Sequence, residues 1–173
     1  MRAAQIQQVL KPLQLSSSQV FLGQGLYTLG LLGWILEQTG AAHVIVTTFS
    51  TSDAFLCGVI NLRKRGLIKS STLVADIKAS RKTLKLSRLM TEAFDVAKLS
   101  LNHSKMILVA NDEWLVSVIT SQNQTYGDRA ECTFVTTDRD VYLDIHNMLN
   151  NLLDDSTTIS LPRPERGLPS DGA

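Results

Sequence analysis

β-Branched apolar runs alternate along this chain with stretches whose apolar residues recur at helical spacing. Runs of Val, Ile and Thr bounded by turn residues predict strands, which we place at 42–50, 71–77, 96–101, 106–110, 116–120 and 132–136. Helical spacing predicts helices at 2–13, 25–38, 52–66 and 84–97, and a last one capped by Asp138. Strands that alternate with helices indicate an α/β fold.

The stretch at 52–66 has the end signals of a helix. Ser52 or Asp53 can cap its first turn, and Gly66 can end it. The negative end of a helix dipole favours cations, and the last turn here contains Arg63, Lys64 and Arg65. The glycines at 23, 25, 30 and 33 could suggest a nucleotide-binding loop, but such a loop follows a strand. No strand is predicted before Gly23, so these glycines indicate close helix packing instead.

Length and composition fit one domain followed by a tail. The 173 residues can bury a core without disulfides, and we assign a single domain to 1–153. Residues 154–173 contain "SLPRPERGLPSDGA" and are predicted to be a flexible tail. With 17 Lys and Arg against 16 Asp and Glu, a nucleic-acid surface would require local clustering of cations.

Two features bear on the compartment. Residues 12–36 carry no charge, but their strongly apolar part, 26–36, is shorter than the roughly 20 residues of a membrane span. We expect a buried helix there, no membrane contact and a cytoplasmic location. Cys57 and Cys132 lie in apolar runs and are expected to be buried free thiols.

The segment "NHSKMILVANDEWLVSVITSQNQT", residues 102–125, predicts a β-hairpin with polar residues at one end. If 106–110 pairs antiparallel with 116–120, the start of the first strand lies beside the end of the second. His103 and Lys105 would then approach Ser121 and Asn123. An imidazole, an amine, a hydroxyl and an amide at one place suit an anion with several oxygens, such as phosphate.

These residues resemble the signature of the phospholipase D superfamily, which is H-x-K, an acidic residue, G-S-x-N and a later glutamate. The matching elements are His103-Ser104-Lys105, "TSQN" at 120–123 and Glu131. The likeness extends over roughly residues 40–150, and its spaced elements together are more specific than H-x-K alone. It implies a mixed β-sheet flanked by helices on both faces.

The chain departs from the family pattern at two positions. The family's aspartate usually stands five residues after the lysine, where this chain has Ala110, and Asp112 comes two positions later. Thr120 replaces the glycine before the serine, and its larger side chain would narrow a phosphate pocket. The Asp112-Glu113 pair itself is expected to be a solvated turn.

The resemblance implies two-step phosphoryl transfer without a metal or any other cofactor. One histidine attacks phosphorus to form a phosphohistidine, and a second protonates the leaving oxygen. By this resemblance His103 is the nucleophile or the acid, and Glu131 orients its imidazole. Phosphate oxygens would be held by Lys105, Ser121 and Asn123.

The implied chemistry needs two histidines, and the chain offers one in the motif. The other two, His43 and His146, belong to no H-x-K and are expected to be structural. One chain would then supply half of an active site. We therefore predict a homodimer in which His103 of each copy faces the other across a two-fold axis.

Basic residues are concentrated in the middle third of the chain. A solvated charged face would account for them, and a groove for a nucleic-acid backbone is the functional interpretation. The residues assigned to substrate binding are Arg63, Lys64, Arg65, Arg81 and Lys82.

The sequence thus predicts a small phosphodiesterase, a nuclease for which DNA is favoured over RNA as the substrate, although no residue decides between the two. Two alternatives stay open. A catalytically inactive nucleic-acid-binding module would bind tightly without turnover, and a lipid phosphodiesterase would hydrolyse phosphatidyl substrates. No amphipathic segment for membrane docking favours the lipid enzyme.

Overall fold

The computed structural model describes residues 3–78, 85–125, 127–154 and 156–159. The helices in these ranges are α1 (Ala3–Ile6), α2 (Thr28–Thr39), α3 (Asp53–Lys64), α4 (Ser87–Ala93) and α5 (Arg139–Asp154). The strands are β1 (Ser18–Gly23), β2 (Ala42–Thr48), β3 (Ile68–Asp76), β4 (Val96–Ser100), β5 (Met106–Ala110), β6 (Leu115–Thr120), β7 (Glu131–Thr136) and β8 (Thr157–Thr158).

The strands form one mixed sheet in the order β1-β7-β6-β5-β2-β3-β4-β8. β2, β3 and β4 are parallel, as expected of strands joined by the crossover helices α3 and α4. The remaining neighbours pair antiparallel. The predicted hairpin is confirmed as β5 and β6, with Met106 opposite Ile119 and Ala110 opposite Leu115.

Helices cover both faces of the sheet, as predicted. On one face, Trp34 of α2, Leu56 of α3 and Met90 of α4 belong to the large apolar core that includes the inward residues of the central strands. On the other face, which we call the α5 face, Tyr142 and Leu149 pack against Leu108 of β5. A three-layer α/β fold results.

The ends of α3 follow the predicted capping. The hydroxyl of Ser52 accepts a hydrogen bond from the amide of Phe55 at 3.3 Å, and the chain turns at Gly66 with φ of 73°. Asp138 likewise caps α5, because its Oδ1 accepts the amide hydrogens of Asp140 and Val141.

Several predicted elements differ from the structure. The strand β1 was not predicted, so the expectation that no strand precedes Gly23 is wrong. Of the predicted helix at 2–13 only Ala3–Ile6 is helical among the described residues. The helix expected at 84–97 is confined to Ser87–Ala93 because β4 begins at Val96.

The C-terminal end and the cysteines also depart from expectation. Thr157 and Thr158 lie in the predicted tail, but they pair with Leu99 and Lys98 of β4, and residues 160–173 lie outside the described ranges. Both cysteines are free thiols but are exposed rather than buried. Residues 3–78, 85–125, 127–154 and 156–159 contain no helix long and apolar enough to cross a membrane.

Candidate active site

The residues of the predicted signature meet at one open cavity of about 700 Å³. The cavity lies where β5 begins and β6 ends, beside the carboxyl ends of β2 and β3. The predicted site residues that line it are His103, Lys105, Ser121, Asn123 and Glu131. The pairing of β5 with β6, and of β6 with β7, thus brings together side chains that lie up to 28 positions apart, from 103 to 131.

The loop that carries His103 is fixed by the side chain of Asn102, which is 4% exposed. Its Nδ2 donates to the carbonyl oxygens of Thr48 (3.3 Å) and Val74 (3.2 Å), at the ends of β2 and β3. Its Oδ1 accepts the amide hydrogen of Ser104 at 3.0 Å. The loop is therefore tied to two parallel strands by buried hydrogen bonds.

A second buried anchor is the carboxylate of Asp76, at the end of β3. Its Oδ2 accepts the amide hydrogen of Asn102 at 2.9 Å, and its Oδ1 accepts that of Lys78 at 2.6 Å. The hydroxyl of Ser104 donates to Oγ1 of Thr47 at 2.8 Å. Neither Asn102 nor Asp76 was predicted, because these contacts join segments distant in sequence.

The imidazole of His103 is exposed to the cavity and contacts two side chains. The Nζ of Lys105 lies 3.3 Å from Nδ1 of His103 and donates to the carbonyl oxygen of His103 at 2.8 Å. On another side, the rings of Phe49 and His103 have centroids 4.9 Å apart at 55°. No hydrogen bond between described residues involves Nε2, which leaves that nitrogen available to a ligand.

Glu131 and Ser121 also line the cavity and are hydrogen-bonded to each other. The hydroxyl of Ser121 donates a short hydrogen bond to Oε2 of Glu131 and accepts the amide hydrogen of Cys132 at 3.0 Å. The predicted orientation of His103 by Glu131 has no direct hydrogen bond to support it among the described contacts of this chain. Glu131 instead acts on Lys105: desolvation lowers the pKa of Lys105 below its ordinary value, and the carboxylate partly opposes that shift.

The segment that holds Asn123 is fixed through its backbone. The amide of Ser121 donates to the carbonyl oxygen of Cys132 at 3.0 Å, and the amide of Gln122 donates to Oγ1 of Thr120 at 3.1 Å. Thr120, which stands where the family has glycine, lines the cavity, but its hydroxyl donates to the carbonyl of Cys132 at 3.1 Å. In the described part of the chain, Oδ1 of Asn123 is buried without a hydrogen-bond partner.

The predicted substrate-binding cations at the end of α3 do not line this cavity. The α3 helix begins beside the cavity, where Ser52 donates to the carbonyl oxygen of Gln124, and its 12 residues carry the chain about 18 Å away. Arg63 forms an ion pair with Asp95, and Arg65 lies 3.6 Å from Glu37. Lys64 is exposed at the same far end, and Arg81 and Lys82 lie outside the described residues.

Asp112 and His43 lie at the opposite end of the strands from the cavity, and His146 lies within α5. Asp112 is in the exposed turn between β5 and β6, where Asn111 Nδ2 donates to the carbonyl oxygen of Thr39 at 2.8 Å. His43 Nδ1 contacts Ser70 Oγ at 2.6 Å at the start of β2. His146 stacks on Tyr142 within α5, with centroids 5.9 Å apart. None of them lines the cavity.

Arg129 is a cavity residue that received no role from the sequence. It is exposed and lines the cavity beside Glu131, and it would add a second cation to Lys105. Its position in an irregular segment gave no periodic signal, but its place two residues before the signature glutamate could have identified it as a candidate site residue.

No protein-family model and no curated protein matches the chain. Solved structures do. Nuc from Salmonella typhimurium, a phospholipase D family member, matches with a TM-score of 0.58 at 14% identity, over 82% of this chain and 97% of Nuc. Polyphosphate kinase from Porphyromonas gingivalis matches with a TM-score of 0.64 at 14% identity, over 96% of this chain and 30% of the kinase.

A third match is TrmBL2, an archaeal chromatin protein whose structure shows a mode of DNA binding. Its TM-score is 0.57 at 11% identity, over 90% of this chain and 59% of TrmBL2. At these identities the matches establish the fold and not the activity. The chain has a phospholipase D-like fold, as its signature residues predicted.

Proposed function

We propose that this chain is a metal-independent phosphodiesterase that hydrolyses nucleic-acid phosphodiester bonds. The observation that carries the proposal is the convergence of His103, Lys105, Asn123 and Glu131 on one cavity within a phospholipase D-like fold. A nucleophilic ring nitrogen, a cation and an amide donor are the groups that phosphoryl transfer needs when no metal takes part.

In the proposed first step, Nε2 of one His103 attacks phosphorus, the phosphorus–oxygen bond to the leaving group breaks, and a second histidine gives that oxygen its proton. In the second step that histidine takes a proton from water, whose oxygen displaces the imidazole from phosphorus. Lys105, Asn123 and Arg129 stabilise the charge on the remaining phosphate oxygens. Attack by Nε2 requires the ring hydrogen to be on Nδ1, so Lys105 must first give up its contact with that nitrogen.

The second histidine comes from a second copy of the chain in this proposal. His43 and His146 are both engaged elsewhere, with Ser70 and Tyr142 respectively. A two-fold dimer supplies the missing imidazole from the same residue of the partner.

Nucleic acid, and DNA in particular, is the proposed substrate. An open cavity with two cations suits a phosphodiester in the middle of a nucleic-acid strand, which must continue beyond the cavity on both sides. The fold is shared with TrmBL2, a protein that binds DNA. We propose a cytoplasmic protein that needs no cofactor for this reaction.

The test is hydrolysis of single- and double-stranded DNA in excess EDTA by the wild type and by His103→Ala. The matched control is His43→Ala, which removes an imidazole at the far edge of the sheet. Cleavage that survives EDTA, persists in His43→Ala and disappears in His103→Ala would support the proposal. Cleavage that EDTA abolishes, or that His103→Ala retains, would contradict it.

A non-catalytic DNA-binding module is the second candidate. Thr120 in the position of the family's glycine and the likeness to TrmBL2 favour it. Folded wild-type protein that binds a DNA duplex but cleaves neither DNA nor RNA over long incubation would select this candidate. Hydrolysis of a phosphatidyl substrate instead would indicate a lipid phosphodiesterase.

A further inference from the structure

The side chain of Asn123 is positioned through its neighbours in the chain. Its Oδ1 is buried, and no hydrogen bond joins this side chain to another described residue. Its place in the cavity therefore depends on the backbone on either side of it. On one side the amide of Gln122 donates to Oγ1 of Thr120 at 3.1 Å. On the other side, at Gln124, the backbone is bonded to a distant part of the chain.

Gln124 is fully buried, and its polar contacts are made by its backbone. Its amide donates to the carbonyl oxygen of Ser50 at 3.1 Å and to Oγ1 of Thr48 at 3.3 Å. Its carbonyl oxygen accepts the hydroxyl hydrogen of Ser52 at 3.0 Å. Neither polar atom of its side chain has a hydrogen-bond partner in the described part of the chain. Residues 48–52, which connect β2 to α3, therefore hold the backbone next to Asn123.

The loop that carries His103 is attached to the same connection. The carbonyl oxygen of Thr48 accepts Nδ2 of Asn102 at 3.3 Å, and the ring of Phe49 lies beside the imidazole of His103, with centroids 4.9 Å apart. Thr48 thus contacts both halves of the candidate site. Its carbonyl group binds the loop of His103, and its hydroxyl group binds the segment of Asn123.

Thr48 itself is held firmly in place. It is 0% exposed and is the last residue of β2, where it pairs with Ala75 of β3. Its hydroxyl donates to the carbonyl oxygen of Ser50 at 2.7 Å. A threonine that only closed this local turn would need no other partner. The additional bond from the amide of Gln124 spans 76 positions of the sequence, so this hydroxyl joins two distant segments.

We propose that Thr48 is a positioning residue that sets the placement of Asn123 relative to His103. This inference rests on the proposed function, in which the imidazole attacks phosphorus while Asn123 stabilises charge on the phosphate oxygens. Thr48 does not line the cavity, so it acts through the residues that it holds. Catalysis is sensitive to such placement, because a displacement of about 1 Å caused far from the reacting atoms can cost about 10²-fold in rate.

The first test compares Thr48→Val with Thr48→Ser in the cleavage of DNA in excess EDTA. Valine keeps the β-branched shape and removes both hydrogen bonds of Oγ1. We expect kcat per folded molecule to fall by about 10-fold or more while KM changes little. Serine keeps the hydroxyl and should retain most of the wild-type kcat. An equal loss in both variants would indicate a packing role and overturn the inference.

The matched control is Thr39→Val. Thr39 is 8% exposed, its hydroxyl donates to the carbonyl oxygen of Gly40 at 3.3 Å, and its own carbonyl oxygen accepts Nδ2 of Asn111 at 2.8 Å. It repeats the local contacts of Thr48 at the end of the strands that is opposite the cavity. Thr39→Val should leave kcat unchanged. A loss as large as that of Thr48→Val would overturn the inference.

A double-mutant cycle shows whether Thr48 acts through Asn123. If it does, Thr48→Val should cost much less activity in an Asn123→Ala background than in the wild type, because the side chain that it positions is absent. A general loss of folded protein would lower activity by the same factor in both backgrounds, and that result would overturn the inference. If Thr48→Val does not fold, Thr48→Ala takes its place in the cycle, since it removes the hydroxyl without adding a methyl group beside Gln124.

Binding of inorganic phosphate separates this inference from the proposed function. Calorimetry would give the affinity, and the ¹⁵N shift of the Asn123 side-chain amide would report its placement. Thr48→Val should weaken phosphate binding and move that signal, whereas Thr39→Val should do neither. If the wild type binds phosphate and never cleaves DNA, these changes would support the positioning role and contradict the proposed function. A Thr48→Val variant that cleaves as well as an active wild type would overturn the role alone, and a wild type that neither cleaves DNA nor binds phosphate would contradict both.

Discussion

Nζ of Lys105 lies 3.3 Å from Nδ1 of His103. An ammonium group has hydrogens to donate and no lone pair, so Nδ1 accepts and a neutral ring carries its own hydrogen on Nε2. That tautomer has no lone pair on Nε2 for attack on phosphorus. For His103 to act as the nucleophile, Lys105 must release Nδ1. A substrate phosphate that binds the ammonium group of Lys105 would draw it away from that nitrogen.

Replacing Lys105 by Met is therefore expected to have two effects. Cleavage should fall by about 10²-fold or more, because a cation that stabilises the transition state is lost. The population of the His103 tautomer with its hydrogen on Nδ1 should increase, which ¹⁵N chemical shifts of the ring would reveal. Lys69→Met, at the far edge of the sheet, is the control. An unchanged tautomer would show that the contact with Lys105 does not act on the ring.

The pH dependence of activity should respond to Glu131. Desolvation holds the pKa of Lys105 below its ordinary value, and the negative charge of Glu131 counteracts this. In Glu131→Gln the pKa of Lys105 should fall further, so the ammonium form is lost at lower pH. The alkaline limb of the pH–rate profile is thus expected to move toward neutrality, while an unmoved limb would mean that Lys105 does not govern it.

Arg63 is expected to contribute to the stability of the fold and not to the affinity for DNA. Burial raises the pKa of Asp95, but hydrogen bonds from Arg63 and from the amide of Ser71 bring it below its ordinary value. Since the folded-state pKa is lowered, the stabilisation is complete above the unfolded-state value and is lost as the pH falls through the folded-state value. Arg63→Ala should cost about 1 kcal/mol at neutral pH, a value limited by the exposure of the pair.

The same variant tests where DNA binds. Arg63→Ala should bind a DNA duplex as the wild type does, whereas Arg129→Ala should bind more weakly and with a shallower dependence on salt. Affinities measured at two or more salt concentrations would make the comparison. Weaker binding by Arg63→Ala at unchanged stability would restore the end of α3 as a nucleic-acid surface.

Replacement of two helix glycines by Ala should have opposite effects on the stability of the fold. A methyl group at Gly58 in α3 would overlap the side chain of Leu29, so Gly58→Ala should destabilise the fold by about 1 kcal/mol or more despite its better helix propensity. At Gly33 in α2 the nearest atom, Leu62 Cδ2, is 3.9 Å away. Gly33→Ala should therefore stabilise by about 0.5–1 kcal/mol. Denaturant midpoints of both variants would decide.

The sequence predicted the hairpin and its polar end because both depend on local features. β-Branched apolar runs and the turn between them define β5 and β6, and the pairing of those strands then brings His103 beside Ser121. Long-range contacts gave no such signal. Asn102 reaches the ends of two strands that are 28 and 54 positions away, and no pattern around it distinguishes it from a loop residue.

The missed strand β1 and the distance of the α3 cations from the cavity have physical causes as well. β1 escaped prediction because its exposed positions, Val20 and Leu22, are apolar while Gln19 and Gly23 point toward the core side, the reverse of the usual alternation. The cations after Ile60 were expected to bind phosphate. They lie at the end of α3, and a helix that connects two parallel strands runs back along the sheet, away from the carboxyl ends of those strands. Its last turn therefore ends at the edge opposite the site.

The anchoring of Asn102 also governs which part of the site can open. Its amide hydrogen is bonded to a buried carboxylate, and its side-chain amide closes onto two strands of the core. Amide hydrogens of this kind exchange with solvent through large-scale opening rather than through loop motion. Deuterium uptake at Asn102 should accordingly be as slow as in β2 and β3, and substrate would meet a histidine held in position before it arrives.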